Sequence, residues 1–159
     1  MHIPIDAFGI ERYASTSIEN TVFALARYEL FALQTFDCFH FENVSLIKID
    51  VEGHVFSVIK WAEQTIASLR PVLLVEIEQR YIVCPINELF EKILGLVYQE
   101  FFMTWGELSA LENFEVARHQ SMENCGGSKV EYINNFLFFY RDRLADEEYS
   151  GLLKGPLLK

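Results

Sequence analysis

Two carboxylates spaced two residues apart, Asp50 and Glu52, end an apolar run from Val44 to Val51 that is typical of a β-strand. Successive side chains of a strand point to opposite faces, so Asp50 and Glu52 share one face, and Lys48 lies on it too. Gly53 follows and permits a positive φ angle or a close backbone approach. The pattern therefore predicts a corner where the polar edge of a substrate or cofactor could dock.

A structural interpretation of the same residues stays open. Lys48 could pair with a carboxylate on the next strand, such as Glu76, while Glu52 and Gly53 only begin a helix. Acidic residues at the ends of inner strands are costly unless they are paired, and they are also frequent at functional sites. The spacing alone does not choose between the two interpretations.

Other polar residues interrupt apolar segments later in the chain. Glu76 lies inside VLLVEIE, where its carboxyl must be hydrogen-bonded or have a raised pKa. Asn134 and Asn135 begin the last apolar segment, where they satisfy buried backbone or contact a ligand. For these three residues a structural role is favoured. His119 lies in a predicted loop with the exposure that a general base needs, although a lone loop histidine is more often only solvated.

The apolar periodicity predicts the elements that must position these residues. Val44–Val51 carries apolar residues on both parities, which indicates an inner strand covered on both faces. It is followed by a helix over residues 56–69, a strand over 72–77, a helix beginning at Ile86 and ending near Gly95, a strand over 98–105, a loop through Lys129 and a strand over 132–141.

This alternation predicts parallel strands joined by right-handed crossovers, hence an open α/β sheet with helices on both faces. Ligands of such sheets bind at the carboxyl ends of the strands, where the acidic residues lie. Upstream, we predict a loop over residues 11–20, a strand from Tyr28 to Thr35 and one helical turn from Phe36 to Phe39. The tail after Arg141 is predicted to fray.

Composition and charge exclude several classes of protein. The 159 residues, at 18.5 kDa, suffice for one domain with its own core. Thirteen Lys and Arg against twenty-three Asp and Glu give a net charge of −10, which argues against nucleic-acid binding. The chain contains neither an apolar run of membrane-spanning length nor a secretory signal pattern, so we expect no membrane contact and a cytoplasmic protein.

Several motifs with a known mechanism do not occur in the sequence. The three cysteines form no Cys-x-x-Cys pair and predict reduced thiols, and the four histidines lack metal-site spacing, so no metal is expected. No glycine has another glycine two positions away, which excludes the Gly-x-Gly-x-x-Gly dinucleotide loop. A Gly-x-Ser-x-Gly nucleophile elbow is also absent from the sequence.

The segment from Ile47 to Tyr81, IKIDVEGHVFSVIKWAEQTIASLRPVLLVEIEQRY, resembles the signature region of FkbM-type S-adenosylmethionine-dependent methyltransferases. That family shows a Lys-hydrophobic-Asp-Val-Glu-Gly segment, a helix, then Arg-Pro and a strand ending in glutamate. LQTFDCF before this region, and YQEFF and INNFLFF after it, resemble flanking family segments, so the likeness extends to about Arg141. Val55 and Trp61 depart from the glutamate and glycine that are usual in the family.

The resemblance implies the α/β class, with a Rossmann-like class I methyltransferase sheet. It also implies an enzyme that transfers a methyl group from S-adenosylmethionine to a hydroxyl. The acceptor would be a small molecule, such as a sugar of a glycan or a secondary metabolite. The resemblance implies that the turn with Asp50 and Glu52 lies beside the cofactor and the acceptor. From their positions we predict Asp50, Glu52 and His54 for catalysis, with Asp50 first. We likewise predict Asp50 and Gly53 for cofactor binding, and Glu76 and Asn135 for substrate binding.

In that family the first strands and the glycine-rich loop, which hold the cofactor, precede the region matched here. The resemblance therefore implies a partial domain over residues 1–141 and a flexible tail over 142–159. The strand from Val44 to Val51 would then expose an open edge that can pair with another chain. The alternative, from a different class, is a non-catalytic remnant or partner subunit that binds a ligand or polypeptide without the cofactor.

Overall fold

The computed structural model describes residues 2–4, 26–28, 30, 32–124 and 130–145, in two units comprising residues 1–34 and 35–159. In the first unit, β1 (His2–Pro4) pairs antiparallel with β2 (Ala26–Tyr28). The strand predicted from Tyr28 to Thr35 is wrong at residues 30 and 32–35, which are not in a strand, and residues 29 and 31 lie outside the described part of the chain. The loop predicted over 11–20 lies outside the described residues.

The second unit is built on one five-stranded sheet in the order β3-β4-β7-β5-β6. Its strands are β3 (Leu46–Ile49), β4 (Val72–Glu76), β5 (Tyr98–Thr104), β6 (Glu107–Ala110) and β7 (Asn135–Tyr140). Its α-helices are α1 (Val55–Trp61), α2 (Glu63–Leu69), α3 (Ile86–Leu94) and α4 (Val116–His119). Short 3₁₀ turns include Phe36–Phe39, as predicted, Gln79–Tyr81, Leu111–Asn113, Met122–Asn124 and Arg141–Ala145.

The strand directions confirm the α/β class but correct the predicted parallel sheet. Among the described strands, only β3 and β4 pair in parallel; β7 lies between β4 and β5 and is antiparallel to both. The strands β3, β4 and β5 consequently point the same way. Hydrophobic periodicity identified these elements, but it carries no information about strand direction or order.

The strand β6 and helix α4 lie in the region that was predicted as a loop. A tight turn at Trp105 and Gly106, with φ angles of 52° and 81°, reverses the chain between β5 and β6. Two consecutive positive φ angles are typical of a type I′ hairpin turn. Gly106 was the feature of the sequence that could have indicated this turn, but the polar residues after it favoured the prediction of a loop.

The helix predicted over residues 56–69 begins one residue earlier, at Val55, and is divided at Ala62 into α1 and α2. Asp37, from the distant 3₁₀ turn, accepts hydrogen bonds from the backbone N–H groups of Gln64 (3.1 Å) and Thr65 (2.9 Å). It therefore caps α2, although it belongs to another segment. Although burial opposes the effect, these bonds and one from the Thr65 hydroxyl hold the pKa of Asp37 below its usual range.

The helices that follow β3 and β4 cover one face of the sheet, which corrects the prediction of helices on both faces for the described residues. The buried residues of α1, α2 and α3 join those of the strands in one core, which includes Ile47, Leu73 and Phe136. The opposite face has a smaller cluster around Phe101 and Phe139. None of the described helices is long and apolar enough to cross a membrane.

The strand β3 is a terminal strand of the described sheet, so its carboxyl end lies at a corner. Ile49 is 2% exposed on the core face, whereas Leu46 is 51% exposed on the other. The prediction of an inner strand covered on both faces is therefore wrong for β3. At the other end of the domain, Arg141–Ala145 forms a 3₁₀ turn across the predicted tail boundary, and residues 146–159 lie outside the described part.

Candidate functional site

The turn after β3 has the tight backbone that Gly53 was predicted to allow. Gly53 has a φ of +88°, and a Cβ atom there would lie 2.5 Å from the carbonyl oxygen of Tyr81. Glu52 before it also has a positive φ, of 28°, and the N–H of His54 donates to the oxygen of Val51 at 2.9 Å. The turn is therefore compact, and it contacts the segment that follows β4.

Lys48 and Asp50 form an ion pair along β3. The Nζ atom of Lys48 lies 3.3 Å from Oδ2 of Asp50, and the two side chains are 53% and 47% exposed. Their predicted common face is confirmed, but Lys48 pairs with its own strand rather than with Glu76. The ion pair engages only one carboxylate oxygen of Asp50, and the side chain is accessible to solvent.

Glu76, at the end of β4, is surrounded by the other carboxylates of this edge. It accepts a hydrogen bond from Nδ2 of Asn134 at 2.8 Å. Burial raises the pKa of Glu76, the negative charges of Asp50 and Glu78 raise it further, and Lys48 opposes them. Both predicted outcomes for this carboxyl, a hydrogen bond and a raised pKa, are therefore present together.

The two asparagines before and in β7 hold Glu76 in place. Asn135 lies opposite Glu76 in the antiparallel ladder and donates through Nδ2 to Oδ1 of Asn134 at 2.8 Å. Asn134 also accepts, through its backbone oxygen, from the N–H of Ile77 at 2.8 Å. The antiparallel direction of β7 brings its amino end beside the carboxyl end of β4, and this placement was not predictable from spacing.

Glu78 was not among the predicted site residues, yet it is the most buried carboxylate of this edge, at 6% exposure. Its Oε2 lies 2.6 Å from Nε of Arg80 and its Oε1 accepts from Nη2 at 3.1 Å. The hydroxyl of Tyr132 also donates to Glu78. The guanidinium of Arg80 lies 4.6 Å from the centre of the Tyr81 ring. The only signal in the sequence was the repeat of the two-residue acid spacing in Glu76 and Glu78.

A small cleft separates the ends of β3 and β4. Its described lining includes Glu52 and Gly53 on one side and Glu76, Glu78 and Tyr81 on the other. Its volume of about 10 Å³ admits roughly one water molecule. The cleft thus brings together three predicted site residues: Glu52 for catalysis, Gly53 for cofactor binding and Glu76 for substrate binding. It does not enclose a nucleoside.

The two histidines that the sequence singles out have different positions. His54 lies at the amino terminus of α1, directly after the tight turn. His119 is 7% exposed, which contradicts its predicted exposure. Its Nδ1 accepts from the N–H of Glu115 at 2.9 Å, its ring stacks on Phe114, and burial lowers its pKa. His119 therefore has a structural role in the core.

Metal-ligating and nucleophilic groups are sparse in the part of the chain that the structure describes. That part contains no group of three or more His, Cys, Asp or Glu side chains that could hold a metal ion. Cys38 and Cys84 are free thiols, and Cys125 lies outside the described residues.

In comparisons with known proteins, no family model, no curated protein and no solved structure matches the chain.

Proposed function

We propose that this chain is part of an S-adenosylmethionine-dependent methyltransferase of the FkbM type, acting on a hydroxyl of a small molecule such as a sugar. The observation that carries the proposal is the arrangement at the ends of β3 and β4. There the tight turn at Gly53 presents Asp50 and Glu52 beside the carboxyl of Glu76. Carboxylates at the carboxyl ends of parallel strands are well placed for ligands of α/β sheets.

The segments that carry the family resemblance also come together in the sheet. The region from Ile47 to Tyr81 supplies β3, α1, α2 and β4, and the two later segments supply β5 and β7, which pair with each other. A Rossmann-like sheet would need a further strand beside β3, whose outer edge has no partner among the described strands. This open edge therefore supports the proposed fold, in which a strand of another chain can pair with β3.

The carboxylates of the corner after β3 fit the polar edge of S-adenosylmethionine, although the cleft does not enclose the molecule. Asp50 and Glu52 are exposed carboxylates that can accept hydrogen bonds from hydroxyl or ammonium groups. When bound, the cofactor would supply an electrophilic methyl group. The role assigned to the chain is to orient the acceptor and to take its hydroxyl proton, and Asp50 is the first candidate because its Oδ1 is not used by Lys48.

A second candidate function is a non-catalytic subunit that binds a ligand or polypeptide without the cofactor. The volume of the cleft, about 10 Å³, favours it because a nucleoside needs far more space. In this function the exposed edge of β3 would pair with a strand of another chain. The carboxylates of the corner would then have structural or binding roles only.

Isothermal titration of the chain with S-adenosylmethionine separates the two functions. The methyltransferase proposal assigns cofactor contacts to the corner after β3 itself, independently of the glycine-rich loop, and therefore predicts a saturable heat of binding. Asp50→Asn should weaken the affinity by at least about tenfold, or 1.4 kcal/mol. Asp142→Asn is the matched control, since Asp142 is an exposed carboxylate in the 3₁₀ turn after β7. Its affinity should equal that of the wild type.

Absence of any heat with the wild-type chain would reject cofactor binding by this chain and leave the non-catalytic function. Equal binding by the Asp50→Asn variant would retain the cofactor but reject the role of Asp50. In that case Glu52→Gln, with Glu107→Gln as its exposed control, tests the other carboxylate of the corner.

A further inference from the structure

A second cavity lies at the opposite edge of the sheet, near the amino end of β5. It has a volume of about 420 Å³, which is within the range of small-molecule sites, roughly 300 to 1,000 Å³. Its described lining comes from the end of α3, the start of β5, the end of β6 with the following turn, and the residue after β7. These residues are Leu94, Gln99, Glu100, Ala110, Leu111, Glu112 and Arg141.

The charges around this cavity are opposite in sign but do not form a contact pair. Arg141 donates through Nε to the backbone oxygen of Tyr98 at 3.3 Å, which anchors the guanidinium at the cavity. None of the ion pairs found among the described residues includes Arg141, Glu100 or Glu112. No hydrogen bond among the described residues involves the two terminal nitrogens of this guanidinium, and their fork of donors suits a carboxylate best.

Arg141, Glu100 and Glu112 line the same cavity, and the charges of the other two both act on Glu100. Burial raises the pKa of Glu100, and among nearby charges Arg141 lowers it while Glu112 raises it. A positive group in the cavity would favour the ionised form of Glu100 and would pair with Glu112 as well. An ammonium beside the glutamates and a carboxylate beside Arg141 would each meet a group of opposite charge.

Apolar side chains form the rest of the wall. Leu94, Ala110 and Leu111 are half-buried and line the same cavity. They can cover a short aliphatic group, whose burial is favourable. A polar group in the same place would lose its hydration. The lining therefore combines a guanidinium, two carboxyls and a small apolar surface.

We propose that this cavity binds a small aliphatic amino acid or a similar zwitterion. Its carboxylate contacts Arg141, its ammonium lies between Glu100 and Glu112, and its side chain packs on Leu94 and Leu111. The proposal is independent of the methyltransferase proposal, because the cavity lies away from the carboxyl ends of β3 and β4.

Heteronuclear NMR of the isotope-labelled chain tests this site with three matched probes. The probes are L-leucine, 4-methylpentanoate, which lacks the ammonium, and 3-methylbutylamine, which lacks the carboxylate. We expect L-leucine to give saturable shifts of the amides of Gln99 and Leu111. The two single-charge probes should bind at least about tenfold more weakly, since each loses one set of charge-assisted bonds.

Substitutions test which side chains bind the carboxylate and the ammonium of the ligand. Arg141→Met should weaken L-leucine at least about tenfold without affecting the amine probe, and Glu112→Gln should weaken both L-leucine and the amine. Arg118→Met and Glu91→Gln, which remove exposed charges elsewhere, are the controls and should bind as the wild type does. The spectra themselves report whether each variant is folded.

The outcomes decide the proposal in either direction. No saturable shift with L-leucine, equal affinity for all three probes, or unchanged binding in both Arg141→Met and Glu112→Gln would overturn it. If Arg141→Met fails to fold, Glu112→Gln and the comparison of the three probes still give the answer. Binding of S-adenosylmethionine is measured separately, so failure here leaves the proposed function untouched.

Discussion

The ends of β3 and β4 carry the same pattern, two carboxylates two residues apart, but the structure treats them differently. At the end of β3, Asp50 is half-exposed, and its one ion-pair partner among the described residues is Lys48 of the same strand. At the end of β4, Glu78 is buried and receives bonds from Arg80 and Tyr132. The β3 corner therefore has the accessibility that ligand binding needs, and the β4 corner supports it.

The cause of this difference is the position of each strand in the sheet. The strand β3 is terminal, whereas β4 lies between β3 and β7, so its end is covered by residues that precede β7. A carboxylate in such a place needs partners, because an unpaired buried charge is costly. The same spacing in the sequence thus leads to a solvent-accessible pair at one corner and to a paired cluster at the other.

The largest effect is expected from Glu78→Gln. This change removes the negative charge that binds Arg80 and leaves the Tyr132 hydroxyl with a weaker acceptor. Because Arg80 is partly exposed, we expect a loss of about 2 to 3 kcal/mol rather than more. Urea denaturation measures it. A loss no larger than that of Asp50→Asn would show that the two corners do not differ.

Gly53→Ala tests the backbone contact that joins the two corners. The new Cβ would require a positive φ and would lie 2.5 Å from the oxygen of Tyr81, so we expect a loss of about 2 kcal/mol or more. Gly106→Ala is the control: its φ is also positive, at 81°, but nothing lies within 4 Å of its Cβ position. Equal losses in the two variants, measured by thermal unfolding, would refute the close approach.

Glu76→Gln sharpens the comparison because it is expected to stabilise the fold at pH 7, whereas the other substitutions are expected to destabilise it. The pKa of Glu76 is raised in the folded chain above its ordinary value of 4.5. Its contribution to stability is therefore complete below pH 4.5 and is lost as the pH rises through the folded pKa. The amide of the variant would remain neutral and still accept from Asn134, so the variant should unfold at an equal or higher temperature at pH 7.

The check is the melting temperature of both forms across pH 4 to 8, with exposed Glu88→Gln as the control. The difference between wild type and Glu76→Gln should grow in favour of the variant as the pH rises. A variant that is less stable at pH 7 than at pH 4, relative to the wild type, would contradict the raised pKa.

Asp50→Asn should have the smallest effect on stability, below about 0.5 kcal/mol, because exposed ion pairs contribute little. Added salt should remove even this difference. The free energy of unfolding at low and high salt measures it. A loss of several kcal/mol would mean that the β3 corner has a structural role instead of an accessible one.

Much of the fold could be predicted from the sequence, because the apolar periodicity located β3, β4, β5, β7, the helical region after β3 and α3. The direction of β7 could not be predicted, since alternation of side chains is the same in parallel and antiparallel strands. The division at Ala62 also escaped prediction, because it depends on Asp37 from a distant segment. The hairpin at Gly106 was marked only by one glycine.

The site was predictable to the extent that it depends on local spacing. Asp50, Glu52 and Gly53 lie where the strand pattern placed them, at the end of β3. The burial of Glu78 and the contact of Asn134 with Glu76 depend on which strand lies beside β4. His119 was mistaken for an exposed residue because the turn of α4 that buries it was read as a loop.

The most direct test of the proposed role of the β3 corner is a map of S-adenosylmethionine binding by NMR of the isotope-labelled chain. The account predicts that saturating cofactor shifts the amides from Asp50 to His54 most, with smaller shifts at Glu76 to Glu78. Saturable binding that leaves those amides unchanged, or no binding at any concentration, would contradict it.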